Sequence, residues 1–284
     1  MFSRLLKHEW RANSGLFGIL TLAALGIGIL ATAVLRVLIH SAEKLMFTQD
    51  VWGTLALVAM GMFLFFSILA LIVYVIAVQF ILLYRFYKNK FTDEGYLTFT
   101  LPVKTTHIFW SSFLNMLLWL AIAGTVVAVI VFLAVLFGTA KHSLVNLDVF
   151  EGIREALRLL FGWDWRELFS DKLSIPYMVI LGLTGLLAPF YGLFVPMACI
   201  TAGAVLAKKH KILASFGVYY VVNFAVGILT SVLSVLPSIL VVHSGDAEAA
   251  YLISSAIQLV ITLALTVGAY FFTIHVMQRR LNLP

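Results

Sequence analysis

Charge is scarce in this chain. Of its 284 residues only 11% are Asp, Glu, Lys or Arg, while 62% are hydrophobic and the mean hydropathy is +1.05. A soluble domain carries roughly twice that charge density. The scarcity is concentrated: stretches 16–35, 51–84, 108–140, 173–207, 212–245 and 249–278 hold no charged residue at all. Each matches or exceeds the roughly 20 residues that cross about 30 Å of hydrocarbon as a helix. A chain in lipid must satisfy its own backbone hydrogen bonds, which leaves helices or closed barrels, and the short alternating strands of a barrel are missing. The expected fold is an all-α polytopic membrane protein, a single transmembrane domain over 1–284 with spans 16–38, 51–86, 106–138, 175–207, 212–243 and 250–277.

Other absences narrow the chemistry. The one cysteine, Cys199, lies inside an apolar span, so no intrachain disulfide forms and a buried structural thiol is expected. The dipeptide Gly-Lys never occurs, which removes the phosphate-binding loop of an ATPase and leaves no enzymatic motif in this chain. The seven histidines are dispersed near span ends with no His-Glu-x-x-His, so no metal site is expected. No acid or base is embedded in a span. That argues against an intramembrane hydrolase and against the proton relays of ion-driven carriers. Only neutral polar groups interrupt the spans, among them Gln79, Asn115, Thr201, Asn223 and Gln258. Such groups usually bond helix to helix.

What charge there is sets a topology. Arg4, Lys7, Arg11, Arg85, Lys88, Lys90, Lys104, Lys208, Lys209, Lys211, Arg279 and Arg280 make 12 of the 19 basic residues. They share their flanks with only Glu9, Asp93 and Glu94 of the 13 acids. By the positive-inside rule these flanks, and with them both termini, are cytoplasmic. The net charge of +6 therefore reports contact with anionic lipid headgroups. Nucleic acid is not an expected partner, because the basic residues are scattered over separate membrane flanks.

Along the chain, 1–14 is amphipathic, with Leu5, Leu6 and Trp10 on one face and Arg4, Lys7 and Arg11 off it. An interfacial helix ahead of the first span is expected there, and Glu9 and Trp10 speak against a cleaved leader despite Ala31-Thr32-Ala33. The second span, at 1.5 Å per residue, is about 50 Å long and must tilt or project. A short amphipathic helix is expected at 91–102. Asp93 and Glu94 suit its positive end, Pro102 stops it, and Tyr96, Leu97, Phe99 and Leu101 form an apolar surface that calls for a partner or the membrane. An extracytoplasmic amphipathic segment follows at 139–172. Pro189 and Pro196 are expected to bend the fourth span, so they are candidate hinges.

The stretch Phe-Thr-Asp-Glu-Gly-Tyr-Leu-Thr-Phe-Thr-Leu-Pro-Val at 91–103, set in this order of spans after MFSRLLKHEW, resembles the type-2 permease family of bacterial ATP-binding-cassette exporters. The similarity is greatest to members that export drugs, bacteriocins or peptides or confer self-immunity. The resemblance implies a coupling helix with contacts at Asp93, Glu94, Tyr96, Leu97, Phe99 and Leu101, docked on a separate ATPase that carries ATP and Mg; this chain itself holds no cofactor. It implies a connecting helix carrying Arg4, Lys7, Trp10 and Arg11. It also implies a second permease chain, identical or paralogous, with Phe65, Phe66, Gln79, Asn223 and Thr230 facing the shared pathway. The chain departs from the lipid and drug-efflux branch in having only 244–249 between its last two spans, its outer bulk being at 139–172. Two other readings stay open: an immunity or sensor protein that binds a toxin without transport, and an ion-coupled secondary transporter.

Overall fold

The computed structural model describes residues 2–47, 51–92, 95, 104–139, 174–207, 209–244 and 247–279. Every regular element among them is an α-helix: α1 Phe2–Phe47, α2 Val51–Phe91, α3 Thr105–Thr139, α4 Ser174–Leu206, α5 Lys211–Ser244 and α6 Ala247–Arg279. All six contain a segment long and apolar enough to cross a membrane. The protein is a multi-pass helical membrane protein.

The helices differ from the sequence expectations mainly in their ends. An interfacial helix at 1–14 followed by a separate span is replaced by one continuous α1. The segment 12–18 contains Gly15 and Gly18 but no proline, so nothing removes a backbone donor and the ladder carries on. α2 likewise runs to Phe91, beyond the expected boundary at 86, and its 41 residues extend about 60 Å. α4 keeps its helix through both Pro189 and Pro196. Most of the 91–102 helix and all but the first residue of the 139–172 segment lie outside the described residues.

Hydroxyl groups within the spans mostly turn back on their own helices. Thr32 donates to the Ile29 carbonyl (2.7 Å), Thr201 to Met197 (2.7 Å), Thr266 to Thr262 (2.6 Å) and Thr273 to Ala269 (2.7 Å). An unmet hydroxyl in hydrocarbon is costly, and the local carbonyl one turn back is the nearest acceptor.

The chain divides into two compact units. The first comprises Met1–Leu6, Leu82–Leu117 and Trp165–Pro284; the second comprises Lys7–Ile81 and Leu118–Asp164. In the first unit α4, α5 and α6 pack pairwise, joined by short connections that make neighbours antiparallel. α4 and α5 touch backbone to backbone: a Cβ added at Gly203 would stand 2.4 Å from the Ser215 nitrogen and 2.5 Å from its Cα. Close approach of this kind is what a small residue permits where no water-driven force presses helices together. Ser215 seals the contact, its hydroxyl reaching the carbonyls of Lys211 (2.8 Å) and Ile200 (3.3 Å). In the second unit Trp119 of α3 stacks on Trp10 of α1 (4.7 Å, 17°) and meets Phe17 (5.0 Å). Thr21 of α1 and Tyr74 of α2 share a hydroxyl–hydroxyl hydrogen bond of 3.1 Å.

Candidate functional site

At the end of α2 a long charge-free run gives way to Arg85, Lys88 and Lys90. Phe86 and Phe91 are buried there with their rings edge to face at 5.8 Å, and Tyr87 stacks on Phe91 at 6.4 Å. Lys90 is buried beside them, 4% exposed. Beyond Phe91 the backbone bends at Thr92: the Thr92 hydroxyl donates to the Lys88 carbonyl, and the Gly95 N–H donates to the Thr92 carbonyl at 2.8 Å. Gly95 lies so close to the preceding turn that a Cβ would stand 2.5 Å from the Lys90 carbonyl oxygen. Any other residue would have to push the turn open. The glycine of Asp-Glu-Gly-Tyr is therefore a structural requirement of the exit from α2, which reasoning from surface apolarity did not single out.

α3 begins at Thr105, where the N–H groups of His107 (2.9 Å) and Ile108 (3.4 Å) donate to the Lys104 carbonyl. Within one turn α3 enters an aromatic cluster. Phe109, Trp110 and Phe113 of α3 meet Phe190 and Phe194 of α4 and Tyr270 of α6. Phe194 sits at the centre, with centroids at 4.6 Å to Phe113, 5.4 Å to Phe109, 5.8 Å to Tyr270, 6.1 Å to Phe190 and 6.2 Å to Trp110. Phe109, Phe113 and Phe194 are all buried. Tilted and edge-to-face pairs at such distances add about 0.5–1.5 kcal/mol each beyond simple burial. The start of α3, α4 and α6 are thus locked together, and the end of α2 belongs to the same compact unit.

The residues predicted from sequence fall into three groups. Asp93, Glu94, Tyr96, Leu97, Phe99 and Leu101 lie outside the described residues. Of the N-terminal set, Trp10 is half-buried against Trp119, Lys7 and Arg11 are exposed, and Arg4 has no described side chain. The pathway candidates are divided between the units. Phe65 and Phe66 are exposed on α2, in edge contact with each other at 5.7 Å, and Gln79 is half-buried. On α5 the Asn223 amide donates to the Tyr219 carbonyl (2.8 Å) and the Thr230 hydroxyl to Val226 (2.9 Å) or Gly227 (3.0 Å). Pro196 is buried in α4 and Pro189 half-buried. Two further polar atoms are buried on α3 without a hydrogen-bond partner, Asn115 Oδ1 and Trp119 Nε1. Among the described residues no group of three or more His, Cys, Asp or Glu could hold a metal ion.

No family model matches the chain, and neither a curated protein nor a solved structure matches it.

Proposed function

We propose that this chain is the membrane-spanning subunit of an ATP-binding-cassette exporter in the plasma membrane of a bacterium, with both termini cytoplasmic. It pairs with a second permease chain to pass an amphipathic substrate such as a peptide, an antibiotic or a lipid. Separate ATPase subunits, carrying ATP and Mg, drive it through the 91–102 segment. The observation that carries this reading is that both flanks of that segment are anchored in one compact unit, the end of α2 by Phe86 and Phe91, the start of α3 by the Phe194 cluster.

A force applied to 93–101 enters through two stiff lever arms. On the α3 side it passes through Phe109 and Phe113 to Phe194 and Tyr270, and so to α4 and α6. Packed aromatic rings transmit displacement because they have little room to yield. Energy has to come from outside the chain, since the spans hold no charged group except Arg36 and Arg85 at their ends, and none in their interiors to couple to an ion gradient. The exposed apolar surface of α2, Phe65 and Phe66 included, supplies a face for the second permease chain.

The test is ATP turnover in vesicles containing the permease and its ATPase. Replacing Asp93 and Glu94 with Lys is expected to abolish substrate-stimulated hydrolysis while the permease still inserts and purifies. Stimulation that survives the double reversal would refute the coupling role.

A further inference from the structure

α4, α5 and α6 do not fill the space between them. They border an open cavity of about 310 Å³, lined by Ala198, Cys199 and Ala202 of α4, Val218 of α5, and Gly268 and Phe272 of α6. The lining is apolar, so a ligand there has almost nothing to bond to and must itself be apolar. A cavity of about 150 Å³ holds benzene, so this one accommodates on the order of a dozen carbons. Left empty it would forfeit the dispersion contacts of its walls.

Its position narrows the occupant. Val218 lies about two turns, roughly 10 Å, from Lys211 at the start of α5. Cys199 lies about as far from the end of α4 at Leu206, and Phe272 from the end of α6 at Arg279. The same end of the three helices carries Lys209 and His210, both exposed, and half-buried Lys211. An apolar recess about 10 Å beneath a cationic rim has the charge and polarity profile of an anionic phospholipid: phosphate at the rim, acyl chain below.

We propose that the α4–α5–α6 cavity is a binding site for one acyl chain of an anionic phospholipid whose headgroup lies at Lys209 and Lys211. The proposal is independent of the exporter reading. The bound chain completes the packing that the small residues on α4 and α6 leave unfinished.

Phosphatidylglycerol with a photoactivatable diazirine in its acyl chain tests this on the full-length protein in phosphatidylcholine nanodiscs. Cross-links mapped by mass spectrometry are expected to concentrate on the peptides containing Cys199, Val218 and Phe272. They should exceed those from a phosphatidylcholine bearing the same tail by about fivefold or more, the preference that about 1 kcal/mol from a single lysine already gives. Lys209→Gln with Lys211→Gln should erase that preference, and Ala202→Leu, which fills the cavity, should remove most of the labelling. Labelling spread over all six helices, equal labelling by the two lipids, or labelling unchanged in the Ala202→Leu protein would overturn the proposal. Should Ala202→Leu fail to fold, the comparison of the two lipids on the unaltered chain decides alone.

Discussion

Five rings converge on Phe194 in the unit that holds α4, α5 and α6, whereas the 51–81 part of α2, in the other unit, turns most of its large side chains outward. Trp52, Leu55, Val58, Phe65, Phe66 and Ile68 are all more than half exposed. The outward-facing α2 is the more apolar by mean hydropathy, so burial here follows shape and not hydropathy. Lipid solvates an exposed Phe as well as another helix does, and helix association rests on packing and a few hydrogen bonds. Where rings and glycines interlock, the helices are tied. Where they do not, the surface is left for lipid or for another subunit.

The contrast can be broken by substitution, beginning where the packing is densest. Phe194→Ala removes the ring that the other five share and is expected to cost about 3–5 kcal/mol, the range for a buried aromatic. Thermal unfolding in detergent would record it, together with loss of transport-linked ATP turnover. Phe65→Ala, on the exposed face, should leave the same melting transition nearly unmoved. Gly203→Ala comes next: the obstacle is the Ser215 backbone, which cannot swing aside as a side chain would. Separating α4 from α5 should cost about 1–3 kcal/mol by the same assay. Among the buried contacts the smallest effect belongs to the second unit. Tyr74→Phe deletes the hydroxyl contact to Thr21, and since Thr21 also donates to the Phe17 carbonyl (2.6 Å), the loss should be near 0.6 kcal/mol. A Tyr74→Phe loss as large as that of Phe194→Ala would overturn the comparison.

The six spans were legible because charge is excluded from hydrocarbon, and that exclusion is written directly into residue type. Which face of each span packs inward was not legible. In lipid both faces are apolar, so the helical periodicity that marks a soluble core is absent. A signal for the Phe194 cluster did exist: Phe109 and Phe113, and again Phe190 and Phe194, stand one turn apart and so share a helix face. Gly95 was hidden for another reason. Its need comes from a close approach to the Lys90 carbonyl, a three-dimensional fact that residue type alone does not announce. The continuous α1 was missed because amphipathicity at 1–14 marks where a helix meets the interface, not where it ends.

The central claim, that a separate motor acts on this chain at 91–102, meets its most direct test in purification of the full-length chain from its native membrane in mild detergent. The account predicts a stoichiometric soluble protein bearing a phosphate-binding loop and hydrolysing ATP, lost when Asp93 and Glu94 are both replaced by Lys but retained in the Tyr74→Phe protein. An intact, monodisperse chain that carries no such partner, or a partner indifferent to the charge reversal, would contradict it.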